Sequence, residues 1–220
     1  MNREEPNGPS ARWTLLFALG AALIAGLQRE TWHPHNFFMI GALGLWGGAR
    51  LRPWLGLLLP VGVWLITDVI EWRRTGLPAF NPFVGAAFLS YGLLGLLLRR
   101  TKSPARIAFV CVLGSVLFFL LTNFSVWLAL SKPAAELPAG QAMVLIPQGS
   151  NYPVPVYAQN LQGLLACYVM GIPFTNPDAP PLGFLGNVLC GDLLFTGLLF
   201  GAHAWLLEGV RRRAVVPVSP

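Results

Sequence analysis

The sequence predicts an all-α membrane protein: a single domain, residues 1–220, built as a six-transmembrane-helix bundle with both termini cytoplasmic. Three observations predict it. Apolar residues make up 55% of the chain and charged residues only 11%, against about 25% charged in a soluble domain. The mean hydropathy of +0.59 agrees. So few charges cannot coat a water-soluble globule, which excludes a cytosolic enzyme, a secreted disulfide scaffold and a disordered tail. The second observation is a set of six apolar segments near membrane length. The third is a one-sided distribution of Lys and Arg.

A membrane-crossing helix needs about 20 mostly apolar residues. The first segment, 13–27, lies between Arg12 and Gln28-Arg29-Glu30. The second, 37–49, is short and ends at Arg50-Leu51-Arg52-Pro53. Segment 54–70 closes with Glu71-Trp72-Arg73-Arg74, and 80–98 with Arg99-Arg100-Thr101-Lys102. Segment 107–130 precedes Ser131-Lys132-Pro133, and the last, 182–207, precedes Glu208 and three consecutive arginines. A seventh stretch, 161–174, suits a re-entrant or interfacial helix better than a span. With six crossings, eleven of the fifteen Lys and Arg fall on one side and four on the other. Basic residues collect on the cytoplasmic side, so both ends lie inside, with 211–220 a cytoplasmic tail. A seventh crossing would put Arg211, Arg212 and Arg213 outside.

The first segment also admits a signal-peptide reading, with Arg12 as its basic end. It carries small residues four apart, Ala18, Ala22 and Gly26, which let helix backbones approach closely. Internal packing and docking of another membrane subunit are both open readings of that stripe.

Spans two and three echo spans four and five. Asn36-Phe37-Phe38 opens one copy and Asn81-Pro82-Phe83 the other, while Leu65-Ile66-Thr67-Asp68 matches Leu120-Leu121-Thr122-Asn123. Both copies run the same way, as a parallel repeat would. Asn36, Asp68, Asn81, Asn123 and Asp192 thereby fall at a similar depth in the outer half of five helices. Polar groups in hydrocarbon turn inward or toward water, and an intramembrane acid is a functional candidate. These five residues are therefore expected to line one outward-facing ligand cavity, with Glu71 at its rim and Arg73 or Arg74 as a solvated counter-charge. Two acids without a buried base favour a cationic, metal-bearing or hydrogen-bond-donating ligand. The competing reading is a hydrogen-bond set that only fixes helix packing.

Inner loops are minimal, whereas 131–181 is long and Pro-rich, with 132–160 an extracytoplasmic insertion. Within it, 142–147 and 152–157 flank Gln148-Gly149-Ser150-Asn151, a β-hairpin pattern. A lid over the cavity and a flexible insertion are the two readings of this loop. No nucleotide-binding, zinc-protease or serine-hydrolase motif appears, and no nucleophile–base pair can be named, so no enzyme and no cofactor are expected. His33 and His35, with Glu30, have ligand chemistry for a divalent metal, though solvated interfacial residues explain them as well. His203, deep in the last span, reads as a packing residue. Cys167 and Cys190 both lie toward the oxidising outer face and could pair, but neither spacing nor context requires it. Nucleic-acid binding has no support, because topology accounts for the basic residues.

Four blocks carry a resemblance: Asn36-Phe37-Phe38 leading to Gly47-Gly48-Ala49, FFLLTNFSVW at 118–127, GLLACYVMGIPF at 163–174 and GDLLFTGLLFG at 191–201. Together they resemble an uncharacterised family of bacterial integral membrane proteins, catalogued as a domain of unknown function, over roughly 33–201. The chain departs from that family by its insertions around 132–158 and 176–186. The family in turn distantly resembles the substrate-binding membrane subunits of energy-coupling factor transporters. Ala18/Ala22, Pro173-Phe174 and Gly191-Asp192-Leu193 follow the order of motifs in those subunits, although Phe195 stands where they usually carry Lys. The resemblance implies a multi-pass protein of the cell (inner) membrane that binds a small-molecule solute for uptake. It also implies an energising membrane subunit docking on the first helix through Ala18 and Ala22. A non-transporting structural or assembly protein is the alternative.

Overall fold

A computed structural model of the chain describes residues 9–31, 36–76, 80–133, 143–145, 154–172 and 182–215. Seven helices and three short strands occur among them. Helices α1 (Pro9–Glu30), α3 (Pro53–Thr75), α5 (Pro104–Leu130) and α7 (Gly183–Val215) are the long ones. All four are long and apolar enough to cross a bilayer. Their outward faces are greasy: Leu19, Leu23, Ile66, Phe109, Leu198 and Trp205 are all well exposed. Surface of that kind belongs against lipid, and the chain is a membrane protein.

The two remaining helices of the expected bundle are shorter. α4 (Pro82–Leu96) has 15 residues and α2 (Ile40–Arg50) only 11. At 1.5 Å per residue α2 rises only about 16 Å. It meets no lipid, because every residue from Ile40 to Ala49 is buried. α1, α3, α4 and α7 pack around it.

Glycine is what allows that central position. A Cβ on Gly48 would strike the Gly92 carbonyl and come within 3.0 Å of the Gly95 Cα, while one on Gly56 would lie 2.5 Å from the Gly47 carbonyl oxygen. α2, α3 and α4 therefore touch backbone to backbone, as small-residue membrane contacts do. At the foot of α2, Arg99 donates to the Gly48 and Leu51 carbonyls at 3.1 and 2.6 Å. These are carbonyls that the helix end leaves without partners.

Local signals set the other boundaries. Asn81 caps α4, accepting from the Phe83 amide, and Ser103 caps α5, accepting from Arg106; each is followed by Pro at the first helical position. That pairing of cap and proline is a favoured helix start. α3 ends at Gly76, whose φ of +71° is the left-handed stop that glycine accepts freely.

The expected hairpin arms pair. β2 (Met143–Leu145) runs antiparallel to β3 (Val154–Ala158), with Val144 opposite Pro155. The turn between them lies outside the described residues. β1 (Ser131–Lys132) adds in parallel on the other edge of β3. The stretch expected to lie re-entrant or interfacial is α6 (Leu161–Gly171), capped by Asn160 and packed along the end of α5. Trp127 holds the sheet to α5 by donating to the Ala158 carbonyl at 3.0 Å.

Ala18 is buried and Ala22 half-buried against the bundle. Within this chain the small-residue stripe of α1 serves internal packing, and Leu15, Leu16, Leu19 and Leu23 form the open face.

Candidate functional site

Where α1 and α3 finish and α4 and α7 begin, the helices part around a cavity of about 650 Å³. Its rim is polar. Arg29 and Glu30 come from the end of α1, Glu71, Arg74 and Thr75 from the end of α3, and Asn81 from the start of α4. Thr122 and Ser125 come from one face of α5. The floor is aromatic, formed by Phe38, Phe118 and Phe184. Phe38 meets Phe118 edge-on at 6.3 Å, and Phe118 stacks on Phe184 at 6.4 Å.

Two ion pairs tie α1 to α3 at the rim. Arg29 donates to Asp68 at 2.5 Å, to the Trp64 carbonyl at 3.2 Å and to the Thr67 hydroxyl. Arg74 pairs with Glu30 at 3.1 Å. The expectation of two acids without a buried base is thus corrected at Asp68, which pairs with Arg29, whose side chain is only 17% exposed. The reason is helix length. α1 continues through Glu30 instead of ending at Leu27, so residue 29 lies on a helix face against α3 rather than in a loop. Glu71 has no ion-pair partner among the described residues, which leaves the rim with an uncompensated carboxylate.

The structure divides the five expected site residues into three groups. Asn36 and Asn81 line the cavity. Asn81 is occupied at both ends: its amide donates to the Ser125 hydroxyl at 2.9 Å, and its oxygen caps α4. Asn36 adopts a left-handed φ of +59°, and its side-chain amide nitrogen is buried with no hydrogen-bond partner among the described residues. A polar atom left in that condition costs about 1–3 kcal/mol, which a hydrogen-bond acceptor placed beside it would offset.

Asp192 lies beneath the floor. Its Oδ2 accepts from the Ser115 hydroxyl at 2.7 Å and from the Tyr91 hydroxyl. Together with Asn36 and Gly41 it walls a void of about 10 Å³ that shares Phe38 and Phe118 with the cavity above. That is room for about one water molecule.

Asp68 and Asn123 point elsewhere. Asp68 is buried behind Arg29, and its second oxygen is unpartnered among the described residues. Asn123 donates back to the Phe119 carbonyl at 2.9 Å and packs against Gly171 of α6. The echo read from the sequence therefore sorts by pair: Asn36 and Asn81 face the cavity, and Asp68 and Asn123 face a neighbouring helix.

Sequence reading missed Thr122, Ser125 and the aromatic floor, although a signal was present. Residues 118, 122 and 125 recur at helical spacing and share one face of α5, whereas 119 and 123 share the adjacent face that meets α6. Of the metal candidates, Glu30 is engaged with Arg74, and His33 and His35 lie outside the described residues. No cluster of three metal-ligating side chains occurs among the described residues. Cys167 and Cys190 carry free thiols. Burial pushes the Cys167 thiol pKa up, and the thiol donates to the Asn123 carbonyl at 3.4 Å.

The arrangement can hold a small molecule, with an apolar or aromatic body against the floor and hydrogen-bond donors or a cation toward Glu71. From 131–181, no described residue lines the cavity. No curated protein and no solved structure matches the chain. A family model matches residues 9–215, and by that match the chain belongs to DUF6580, a family of unknown function.

Proposed function

We propose that this protein is a six-pass protein of the cell (inner) membrane, with both termini cytoplasmic, that binds a small solute from the outer face for uptake. The observation that carries the reading is the cavity of about 650 Å³ with a polar rim over an aromatic floor. Small-molecule sites are concave, largely apolar and provided with a few placed polar groups, at about 300–1,000 Å³. The Asn36 amide and the Glu71 carboxylate, neither of them paired among the described residues, favour a ligand that accepts one hydrogen bond and presents a cation or donors. Six crossings are supported by the way the chain alternates between two bundle ends, one lined by residues 29–30, 71–75 and 81, the other by 10–15, 50–55, 102 and 200–211. With no nucleotide-binding motif in the chain, uptake requires an energising subunit. Its docking surface is α1, where exposed Leu15, Leu19 and Leu23 flank the Ala18 and Ala22 stripe.

The second reading, a non-transporting structural or assembly protein, draws on Asn81, Asn123 and Asp192, whose hydrogen bonds are met within the chain. The two separate in one experiment. Purified protein is denatured and its released small molecules are identified by mass spectrometry, beside a Val84→Trp variant whose ring fills the cavity. A single species released by the wild type and absent from the variant is expected. An equal yield from both, or nothing from either, overturns the binding reading.

A further inference from the structure

At the opposite end of the bundle lies a larger cavity, about 1170 Å³, between the start of α1, the α2–α3 turn, the start of α5 and the end of α7. Its walls carry Arg50, Arg52, Lys102 and Arg211 against a single acid, Glu208. Glu208 is already engaged, accepting from Arg212 at 2.9 Å. Among the described residues no carboxylate pairs with Arg50, Arg52 or Lys102.

Arg50 is half-buried, with its guanidinium 5.2 Å from the centroid of the Phe200 ring. Beside it Thr14 and His203 share a hydrogen bond at 3.1 Å. His203 is buried and packs its ring against Phe17 and Trp46, as a packing residue would, and it also lies in the wall of this cavity.

The preference of Lys and Arg for one side of a membrane accounts for how many bases occur here. It does not account for four of them, from three separate segments of the chain, converging on one concavity, nor for a guanidinium half-withdrawn from water that no carboxylate among the described residues pairs with. Neighbouring Arg99 shows the contrast, because it spends its donors on the Gly48 and Leu51 carbonyls.

The geometry points to a binding site for a phosphate-bearing anion in this cavity, with Arg50 and Arg52 as the principal contacts and Lys102 as a supporting charge. Guanidinium forks match phosphate oxygens in pairs, and a lysine adds a point charge. The phosphate has two sources. Basic pockets between membrane helices hold anionic lipid headgroups, and Leu15 and Leu55 in the wall would receive the first carbons of an acyl chain. A soluble phosphate compound presents the same group.

The test uses the full chain in detergent. Its thermal unfolding is followed with phosphatidylglycerol, with phosphatidylcholine, and with inorganic phosphate against chloride at equal ionic strength. Stabilisation by phosphatidylglycerol or by inorganic phosphate, and none by phosphatidylcholine, is expected. Response to the lipid alone assigns a headgroup, and response to both assigns the phosphate group itself. Arg50→Gln and Arg52→Gln should each weaken the apparent affinity about tenfold or more, the loss of about one charged hydrogen bond. Arg100→Gln, a base at the same end that lies outside the cavity wall, should leave it unchanged. Should Arg50→Gln fail to fold, exposed Arg52 and Lys102 keep the test intact. An equal response to both lipids with none to phosphate, or an equal loss from Arg100→Gln, overturns the proposal.

Discussion

Arg29 and Asp68 show what a single side chain decides in this bundle. The pair joins α1 to α3 at 2.5 Å, and Asp68 already holds one oxygen without a partner among the described residues. Removing the base leaves a buried carboxylate, whereas removing the acid's charge leaves an arginine at the cavity rim that can turn to water. Arg29→Gln should therefore destabilise the protein by about 3 kcal/mol, and Asp68→Asn by clearly less. Adding Asp68→Asn to Arg29→Gln should recover most of the loss. Unfolding of the four proteins in the same detergent measures it, and additive losses would show that the two residues act separately. Both residues were visible in the sequence as charges near a span boundary, but their pairing was not. It depends on which faces of α1 and α3 meet, and hydropathy carries no information about that. On α5 the face was legible in principle. Thr122 and Ser125 share the stripe of Phe118, yet the costlier-looking Asn123 drew attention one position away, to the face that meets α6.

At the scale of elements, α2 is the member that hydropathy describes least well. Apolar composition marked 37–49 as a span, and its shortness was plain. Its complete burial follows from glycines on three helices meeting at one level. Gly48→Ala should be strongly destabilising, because the added methyl has no space against the Gly92 carbonyl. Gly20→Ala on α1, where nothing lies within 4 Å, should be neutral or stabilising by up to about 1 kcal/mol through helix propensity. Melting temperatures of the two variants should thus move in opposite directions or differ by many degrees. Equal effects would mean that α2 is loosely packed.

For the whole molecule, the two cavities lie at opposite ends, one rimmed by two ion pairs and the Glu71 carboxylate and one with a surplus of bases. In a chain stripped of its native cysteines, Thr101→Cys and Glu71→Cys should react with a membrane-impermeant thiol reagent from opposite sides. Glu71→Cys should label in intact cells, and Thr101→Cys only after the membrane is opened. Labelling of both in intact cells would overturn the six-pass arrangement.

Composition, segment spacing and residue pattern were enough to read a helical membrane protein, the rough positions of its apolar helices and the hairpin arms of its long loop. Those features are local or are counted along the chain. A span depends on its own hydropathy, and a cap on two or three neighbouring residues. The cavity walls, the Arg29–Asp68 pair, the glycine crossing and the basic concavity at the other end depend on the rotation of each helix about its axis. That rotation follows from the simultaneous packing of α1 to α7, in which one residue's step turns a side chain by about 100° and moves it from a cavity to a neighbouring helix. Only the tertiary structure contains that angle.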